Sequence, residues 1–261
     1  MPEADLALLC AAVDEAAHVA LRFTGSKAKR WDKADGAGPV TEADLAVNDR
    51  LSDTLRAARP DYGWLSEEST DDASRLSAHR VFVIDPIDGT RSFIEGSGTW
   101  AISVAIVEAG NPIAGVVALP ARDMVFAASL GLGATLNSDP IHPTTTSSVS
   151  GADMLIPGPA MDAEFWPGGL PRVSRHHRPS LAYRLCLVAS GRFDAMVTLR
   201  DTWEWDIAAG ALIASEAGCR VTDRNGGSLV FNSERTKTDG VLIANPALHD
   251  ALLARRTGLR A

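Results

Sequence analysis

Cysteine is scarce in this chain: three among 261 residues, Cys10, Cys186 and Cys219. Their odd number and wide spacing exclude a disulfide framework and any zinc motif built on neighbouring thiols. They are expected to be buried apolar thiols in a reducing compartment. Positive charge is short too, with 25 Lys and Arg against 33 Asp and Glu, a formal net charge of −8. A binder of nucleic-acid polymers needs basic patches to displace counterions, so that class is set aside. Long apolar runs are missing: the longest, such as 100–107, fall well below the roughly 18 residues of a membrane span. The start, Met1-Pro2-Glu3-Ala4-Asp5, is acidic where a secretory leader is basic. No G-x-S-x-G turn, no P-loop and no internal repeat occurs. A cytoplasmic enzyme without a membrane partner is the expectation, with length enough for one large core or two closely packed halves.

What is present is periodicity that changes along the chain. Leu6, Leu9, Val13, Ala17 and Leu21 recur at helical spacing and predict a first helix over 6–23. Gly25 to Gly38 reads as a loop carrying Lys33 and Asp35. Thr41 then caps a second helix with the stripe Leu45, Leu51 and Leu55, ending before Pro60. From 62 to 136 short apolar runs predict strands at 62–65, 81–84, 100–107, 113–119, 124–128 and 132–136. Spacings such as Ala109-Gly110-Asn111-Pro112 suggest hairpins, and Pro140 to Gly151 reads as a linker or exposed loop. Beyond it, strands at 153–156, 194–199 and 240–244 alternate with helices at 180–190, 207–217 and 246–256. Such alternation suits helices covering a sheet, a layered α/β (α+β) class.

The densest chemistry is Asp85-Pro86-Ile87-Asp88-Gly89-Thr90, directly behind the apolar run 81–84. Proline removes a donor and fixes φ, so the strand is expected to stop there and let both acids turn toward one point. Paired carboxylates repel unless a cation sits between them, and hard oxygen donors suit Mg²⁺. Gly89 permits close backbone approach to an anion, and the N–H groups that follow can cradle a phosphate. An isolated D-P-x-D-G is equally readable as a solvated turn. Three further segments tip the balance: Ser66-Glu67-Glu68-Ser69, Trp205-Asp206-Ile207-Ala208-Ala209-Gly210, and Pro39-Val40-Thr41-Glu42-Ala43-Asp44.

Together with Gly131-x-Gly133-Ala134-x-x-Asn137, Pro140-Ile141 and Cys186-Leu187-Val188-Ala189-x-Gly191-Arg192-x-Asp194, these segments resemble the inositol monophosphatase family in composition and order. The resemblance runs from about Val13 to Leu253. It implies an αβαβα sandwich of the inositol monophosphatase and fructose-1,6-bisphosphatase type, a single domain over 1–261 whose halves, about 1–137 and 152–261, meet at one metal site. It also implies Mg²⁺, two or three ions per site, sensitivity to Li⁺, a small phosphorylated substrate and compatibility with a homodimer.

The resemblance assigns roles residue by residue. Glu67, Asp85, Asp88 and Asp206 become metal ligands, with the carbonyl of Ile87. Glu67 is preferred over Glu68 by position; alone, the pair reads as a charged loop. Thr90 and Glu67 would orient a metal-activated water for in-line attack on phosphorus, and the N–H groups of Gly89 and Thr90 would hold the transferred phosphate. Asp206 alone would pass as a helix cap. Thr41-x-x-Asp44 resembles a capping box, so Asp44 reads either as that cap or as an outer residue of the metal and catalytic site, the two roles being compatible. Lys33 is either a solvated loop lysine or a counter-charge to the acids. Arg91 and Ser180 are placed on the substrate side.

Substrate choice divides the family. Inositol monophosphatases usually carry a glutamate seven residues before the Trp-Asp acid; here that position is Leu199, and only a shifted alignment offers Asp201 or Glu204. Pro179 replaces their glycine ahead of Ser180. Arg91-Ser92-Phe93 after Thr90 resembles the 3′(2′),5′-bisphosphate nucleotidase branch, and the basic cluster Arg175-His176-His177-Arg178 reads as a rim for a second phosphate or a nucleobase. The expected activity is therefore 3′-phosphoadenosine 5′-phosphate hydrolysis, with inositol-1-monophosphatase as runner-up. Histidinol-phosphate phosphatase and a catalytically silent nucleotide- or partner-binding relative are further alternatives.

Overall fold

A computed structural model of the chain describes residues 2–23, 28–32 and 38–258. A short hairpin, β1 (Arg30–Asp32) and β2 (Pro39–Thr41), leads into a seven-stranded sheet. Its strands are β3 (Gly63–Ser66), β4 (Arg80–Asp88), β5 (Ala101–Glu108), β6 (Asn111–Leu119), β7 (Met124–Ser129), β8 (Ala134–Leu136) and β9 (Asp139–Pro140), in that order. β3 is parallel to β4 and every later pair is antiparallel. The β5–β6 hairpin turns on Ala109 and Gly110 at φ 48° and 81°, the left-handed pair that a tight two-residue turn requires.

Alternation along the strands decides the layers. Phe82 and Ile84 of β4 pack under α1 (Pro2–Leu21) and α2 (Glu42–Ala58). Val81 and Val83 point the other way, as period-two geometry demands. After α3 (Thr90–Ile94), the helices α4 (Leu181–Ala189) and α5 (Glu204–Glu216) cover that second face. A second sheet follows, from β10 (Asp153–Leu155), β11 (Ser174–His176), β12 (Ala195–Thr198), β14 (Arg220–Thr222) and β16 (Val241–Ala244). Its spatial order is β11-β10-β12-β16-β14, and β13 (Thr202–Trp203) pairs separately with β15 (Lys237–Thr238). Met196 and Ile243 face the helix layer, whereas Val197 and Leu242 face the outer α6 (Pro246–Thr257). The result is the expected αβαβα sandwich.

α5 is clasped in the middle, and its small residues are the reason it fits. A Cβ on Gly115 of β6 would lie 3.1 Å from Ala209 Cα, and one on Gly210 would lie 2.9 Å from Leu185 Cβ. The run Ala208-Ala209-Gly210 thus lets β6 and α4 close on the helix from both sides.

Several expectations are corrected. β4 does not stop at Ile84 but continues to Asp88, with a register break between Asp85 and Asp88 that absorbs Pro86 as a bulge. On α2 the buried stripe is Ala43, Val47, Leu51 and Leu55, while Leu45 faces solvent. On α1 alanines do much of the packing: Ala12, Ala16 and Ala20 are buried and Leu21 is exposed. The tract 141–151 is irregular yet held, since Asn245 Nδ2 donates to the carbonyls of Thr144 and Thr146 at 3.0 and 2.7 Å. Cys186 and Cys219 are buried, and burial pushes the Cys219 thiol up to about 12. Cys10 is only partly covered. No helix among the described residues is long and apolar enough to cross a membrane.

Candidate active site

Strand register assembles the acids. Ser66 of β3 pairs with Ile84 of β4, and the Glu67 N–H donates to the Ile84 carbonyl at 3.1 Å, so Glu67 arrives beside Asp85. The turn that follows is tied to α2: Ser66 Oγ donates to Asn48 Oδ1 at 2.7 Å, and Trp64 Nε1 to Ser69 Oγ at 3.0 Å. Across the sheet Asp85 faces Ser103 of β5, whose hydroxyl donates to the Trp205 carbonyl at 3.1 Å. That bond anchors the start of α5 one residue before Asp206. Glu67, Asp85 and Asp206 each thereby offer a carboxylate oxygen within 4.8 Å of the other two.

Asp85 is wholly buried, and burial first, then the charges of Glu67, Asp88, Asp206 and Asp44, holds its pKa well above the ordinary carboxylate range. One of its oxygens is fixed across Pro86 by the Ile87 N–H at 3.0 Å. Asp88 stands outside the group of three. Its Oδ2 accepts from Ser180 Oγ at 2.8 Å and from the Ala182 N–H at 2.7 Å, which ties it to the first turn of α4. Burial raises Asp88 to about 6, and those two hydrogen bonds hold it from going higher.

Asp44 closes the expected capping box and also faces Thr90. It closes the capping box with Thr41, accepting from its N–H at 2.9 Å and its Oγ1 at 2.6 Å, and its other oxygen accepts from Thr90 Oγ1 at 3.3 Å. Thr90 Oγ1 also lies 3.2 Å from the Ile87 carbonyl, so that oxygen faces the hydroxyl. Gly89, at φ 96°, caps α3 with its Cβ position 3.4 Å from the Ser180 N; only glycine fits there. Ser180 itself is buried, at φ 63°, capping α4 through the Tyr183 N–H.

These groups open on a cavity of about 460 Å³ that Glu67, Asp85, Asp88, Thr90, Arg91 and Asp206 line together. Lys33 falls outside the described residues. Of the 175–178 cluster only His177 reaches the cavity; His176 bonds Asp153 at 2.8 Å and Arg178 lies over the Phe193 ring. Neither acid of the shifted alignment faces it. Asp201 pairs with Arg235 at 3.2 Å, and Glu204 is buried, accepting from the Ser233 N–H at 3.0 Å.

Sequence reasoning missed Arg184, Arg200 and Trp203, which also line the cavity. A signal existed for Arg184: it is the lone charge in an otherwise apolar helix, LAYRLCLVA. Trp203 stacks on Trp205 at 4.6 Å with Lys237 Nζ 3.8 Å from its ring centre. A second cavity of about 430 Å³, walled by Pro157, Pro159, Phe165 and Leu199, adjoins the first and shares His177, Arg184 and Arg200 with it.

The model of the inositol monophosphatase family matches residues 3–259. The chain is 32% identical to histidinol-phosphatase of Mycobacterium tuberculosis, over 98% of each chain. It is 35% identical to inositol-1-monophosphatase SuhB of the same organism, over 85% of this chain and 79% of that one. It is 32% identical to 3′(2′),5′-bisphosphate nucleotidase CysQ of Escherichia coli, over 76% and 81%. Among solved structures, extragenic suppressor protein suhB of Bartonella henselae superposes with a TM-score of 0.84 at 25% identity, covering 98% of this chain and 100% of that one.

Proposed function

The chain belongs to the inositol monophosphatase family and is a phosphatase; on that footing we propose that it hydrolyses a small phosphomonoester with Mg²⁺ held by Glu67, Asp85 and Asp206. The observation that carries this is the group of three carboxylates within 4.8 Å, one of them wholly buried. Such a group repels itself unless a hard cation is shared, and an all-oxygen donor set fits Mg²⁺. Asp88 and the Ile87 carbonyl add oxygens at its edge. When bound, the ion supplies Lewis-acid charge that polarises the phosphoryl oxygens and lowers the pKa of water.

The chain's own groups do the rest. Glu67 and Thr90 orient the attacking water. As its oxygen bonds to phosphorus, the ester P–O bond breaks with its electron pair on the leaving alcohol oxygen, which takes a proton from solvent, while the water's proton passes to Thr90 Oγ1, which hands its own to Asp44. Thr41 keeps Asp44 in place for that transfer. The N–H groups of Gly89 and Thr90, at the start of α3, take the charge growing on the phosphate. Because both halves contribute to one cavity, the whole chain reads as one catalytic unit.

The substrate we favour is 3′-phosphoadenosine 5′-phosphate, giving AMP and phosphate. Leu199 stands where inositol monophosphatases usually carry their sugar-contacting glutamate, and Asp201 and Glu204 are engaged elsewhere, which counts against the runner-up, inositol 1-phosphate. The test is phosphate release from adenosine 3′,5′-bisphosphate, inositol 1-phosphate and histidinol phosphate, with Mg²⁺ and with excess chelator. Metal-dependent release, fastest from the bisphosphate by kcat/KM, is expected. Undiminished release in chelator sinks the metal reading, and a faster inositol 1-phosphate sinks the nucleotidase one.

A further inference from the structure

Arg75 and Glu204 are buried charges that line neither cavity. Arg75 sits in the short 3₁₀ turn Ala73–Ser77, downstream of Glu67. Its guanidinium takes acceptors from two directions. Nε and Nη2 donate to the Asp71 carboxylate at 2.6 and 3.0 Å. On the other side Nη1 donates to Asn232 Oδ1 at 2.6 Å and Nη2 to the Ser233 carbonyl at 3.1 Å. Asn232 answers with its Nδ2, which donates to the Arg75 carbonyl at 3.2 Å. Glu204, the first residue of α5, holds the same turn from its own side. Its Oε2 accepts from the Asn232 N–H at 2.5 Å, and its Oε1 from the Ser233 N–H and Oγ at 3.0 and 2.5 Å. One turn is thus gripped by a cation from the first half of the chain and by an anion at the start of α5.

Neither grip has slack. A Cβ on Gly63 would lie 3.1 Å from Arg75 Cα, so Arg75 rests directly on β3, the strand that delivers Glu67. The Glu204 N–H donates to the Thr236 carbonyl at 2.9 Å, and Asp206 follows in the same first turn of α5. Asn232 itself stands at φ 57°, a left-handed conformation that asparagine tolerates better than most side chains. The Phe231 N–H, on the Gly110 carbonyl at 3.0 Å, ties the turn to the β5–β6 hairpin as well. Burying opposite charges is costly where an apolar contact would hold as firmly, and the best-attested return is register. A planar fork with acceptors on both sides fixes distance and angle together. Resting on the metal-dependent phosphatase reading above, we propose that Arg75 and Glu204 are positioning residues which, through the Asn232–Ser233 turn, set the separation of Glu67 and Asp206 across the two halves. The cation site is then formed before a cation arrives.

The experiment titrates chelator-stripped protein with Mg²⁺ in a calorimeter and follows melting temperature over the same concentrations. Arg75→Met and Glu204→Gln should each weaken Mg²⁺ binding by about ten- to a hundredfold, the usual effect of losing a group that orients a ligand. Turnover at saturating Mg²⁺ should stay close to wild type, because the bound cation draws Asp206 back to its place. Both residues act through one turn, so the double variant should weaken binding by less than the product of the single factors. Leu252→Ala, a buried truncation in the outer layer, is the control for lost stability alone. Weakening no greater than in that control, or single factors that multiply in full, overturns the proposal. If Arg75→Met fails to fold, Glu204→Gln, which keeps its volume, decides. Equal Mg²⁺ binding in variants that still cleave an ester removes the positioning role and leaves the phosphatase reading standing. Mg²⁺ binding that depends on Arg75 and Glu204, without cleavage of any ester, upholds the positioning role while the phosphatase reading falls. A wild type that binds no Mg²⁺ overturns both.

Discussion

The two sides of the catalytic cavity are held in different ways. On the acidic side three carboxylates are fixed by neighbours: Asp85 by the Ile87 N–H, Asp88 by Ser180 and Ala182, Asp44 by both polar groups of Thr41. On the basic side Arg184 keeps one side-chain hydrogen bond among the described residues, and Arg200 hangs from the end of β12. Fixed donors suit a small ion that always takes the same position. Long, lightly held side chains suit a ligand that arrives, is gripped and must leave. The acidic side stores repulsion that a shared cation would relieve, whereas on the basic side two guanidinium groups face the same cavity.

Substituting one acid should separate the two sides most sharply. Asp85→Asn keeps the volume and the oxygen that accepts from Ile87 but loses the charge. Turnover is expected to fall roughly a thousandfold or more, since metal-borne stabilisation is worth several kcal/mol. In chelator the variant should melt above the wild type, because a buried, uncompensated charge has been removed. With saturating Mg²⁺ the order should reverse, as only the wild type gains binding free energy. Thermal melts in both conditions check this; a variant that melts below the wild type in chelator would mean that Asp85 holds the fold together rather than straining it.

A smaller effect contrasts the halves by pH. His249 of α6 is buried, its Nε2 2.9 Å from Thr222 Oγ1, and burial followed by Arg220 lowers it to about 4. A base depressed in the folded state binds its proton more readily when unfolded. Stability is therefore full above the ordinary value of 6.5 and drains as pH falls toward 4, by on the order of 3 kcal/mol. Asp88 runs the opposite way. Raised from 3.8 to about 6, it gives back stability as pH falls through that window. Metal-loaded protein, its carboxylates held ionised, should lose melting temperature steadily from pH 6.5 to 4.5, and chelated protein much less. His249→Gln should flatten the metal-loaded curve; an identical slope in that variant removes His249 as the cause.

The same contrast explains what could be read without coordinates. The acids sit in contiguous motifs because a strand end, a bulge and a helix cap are local structures with local signals. Even there Pro86 misled, since a bulge tolerates what a regular ladder refuses, and β4 ran on to Asp88. Leu45 misled because leucine is apolar wherever it points, and the stripe on α2 belongs to Val47 instead. The basic side had no contiguous motif to find. Arg184 and Arg200 are 16 positions apart and meet only because α4 and β12 pack around one rim. Ser103, which aims Asp206, is invisible in sequence for the same reason: its partner is a backbone carbonyl on another layer.

The smallest expected effect concerns the point where fold and chemistry share one residue. Thr41 is wholly buried, and its hydroxyl accepts from the Ala43 and Asp44 N–H groups while donating to Asp44 Oδ2. Thr41→Val preserves shape and removes only that oxygen. Loss of the cap should cost about 1 kcal/mol by urea unfolding. Asp44 keeps its bond to the residue 41 N–H but loses the shorter of its two tethers, so its contact with Thr90 should loosen. If Asp44 receives the proton that Thr90 hands on, kcat should drop several-fold with KM unchanged, because the binding groups are untouched. An equal loss of stability with kcat intact would make Asp44 a cap alone and return the proton to Glu67.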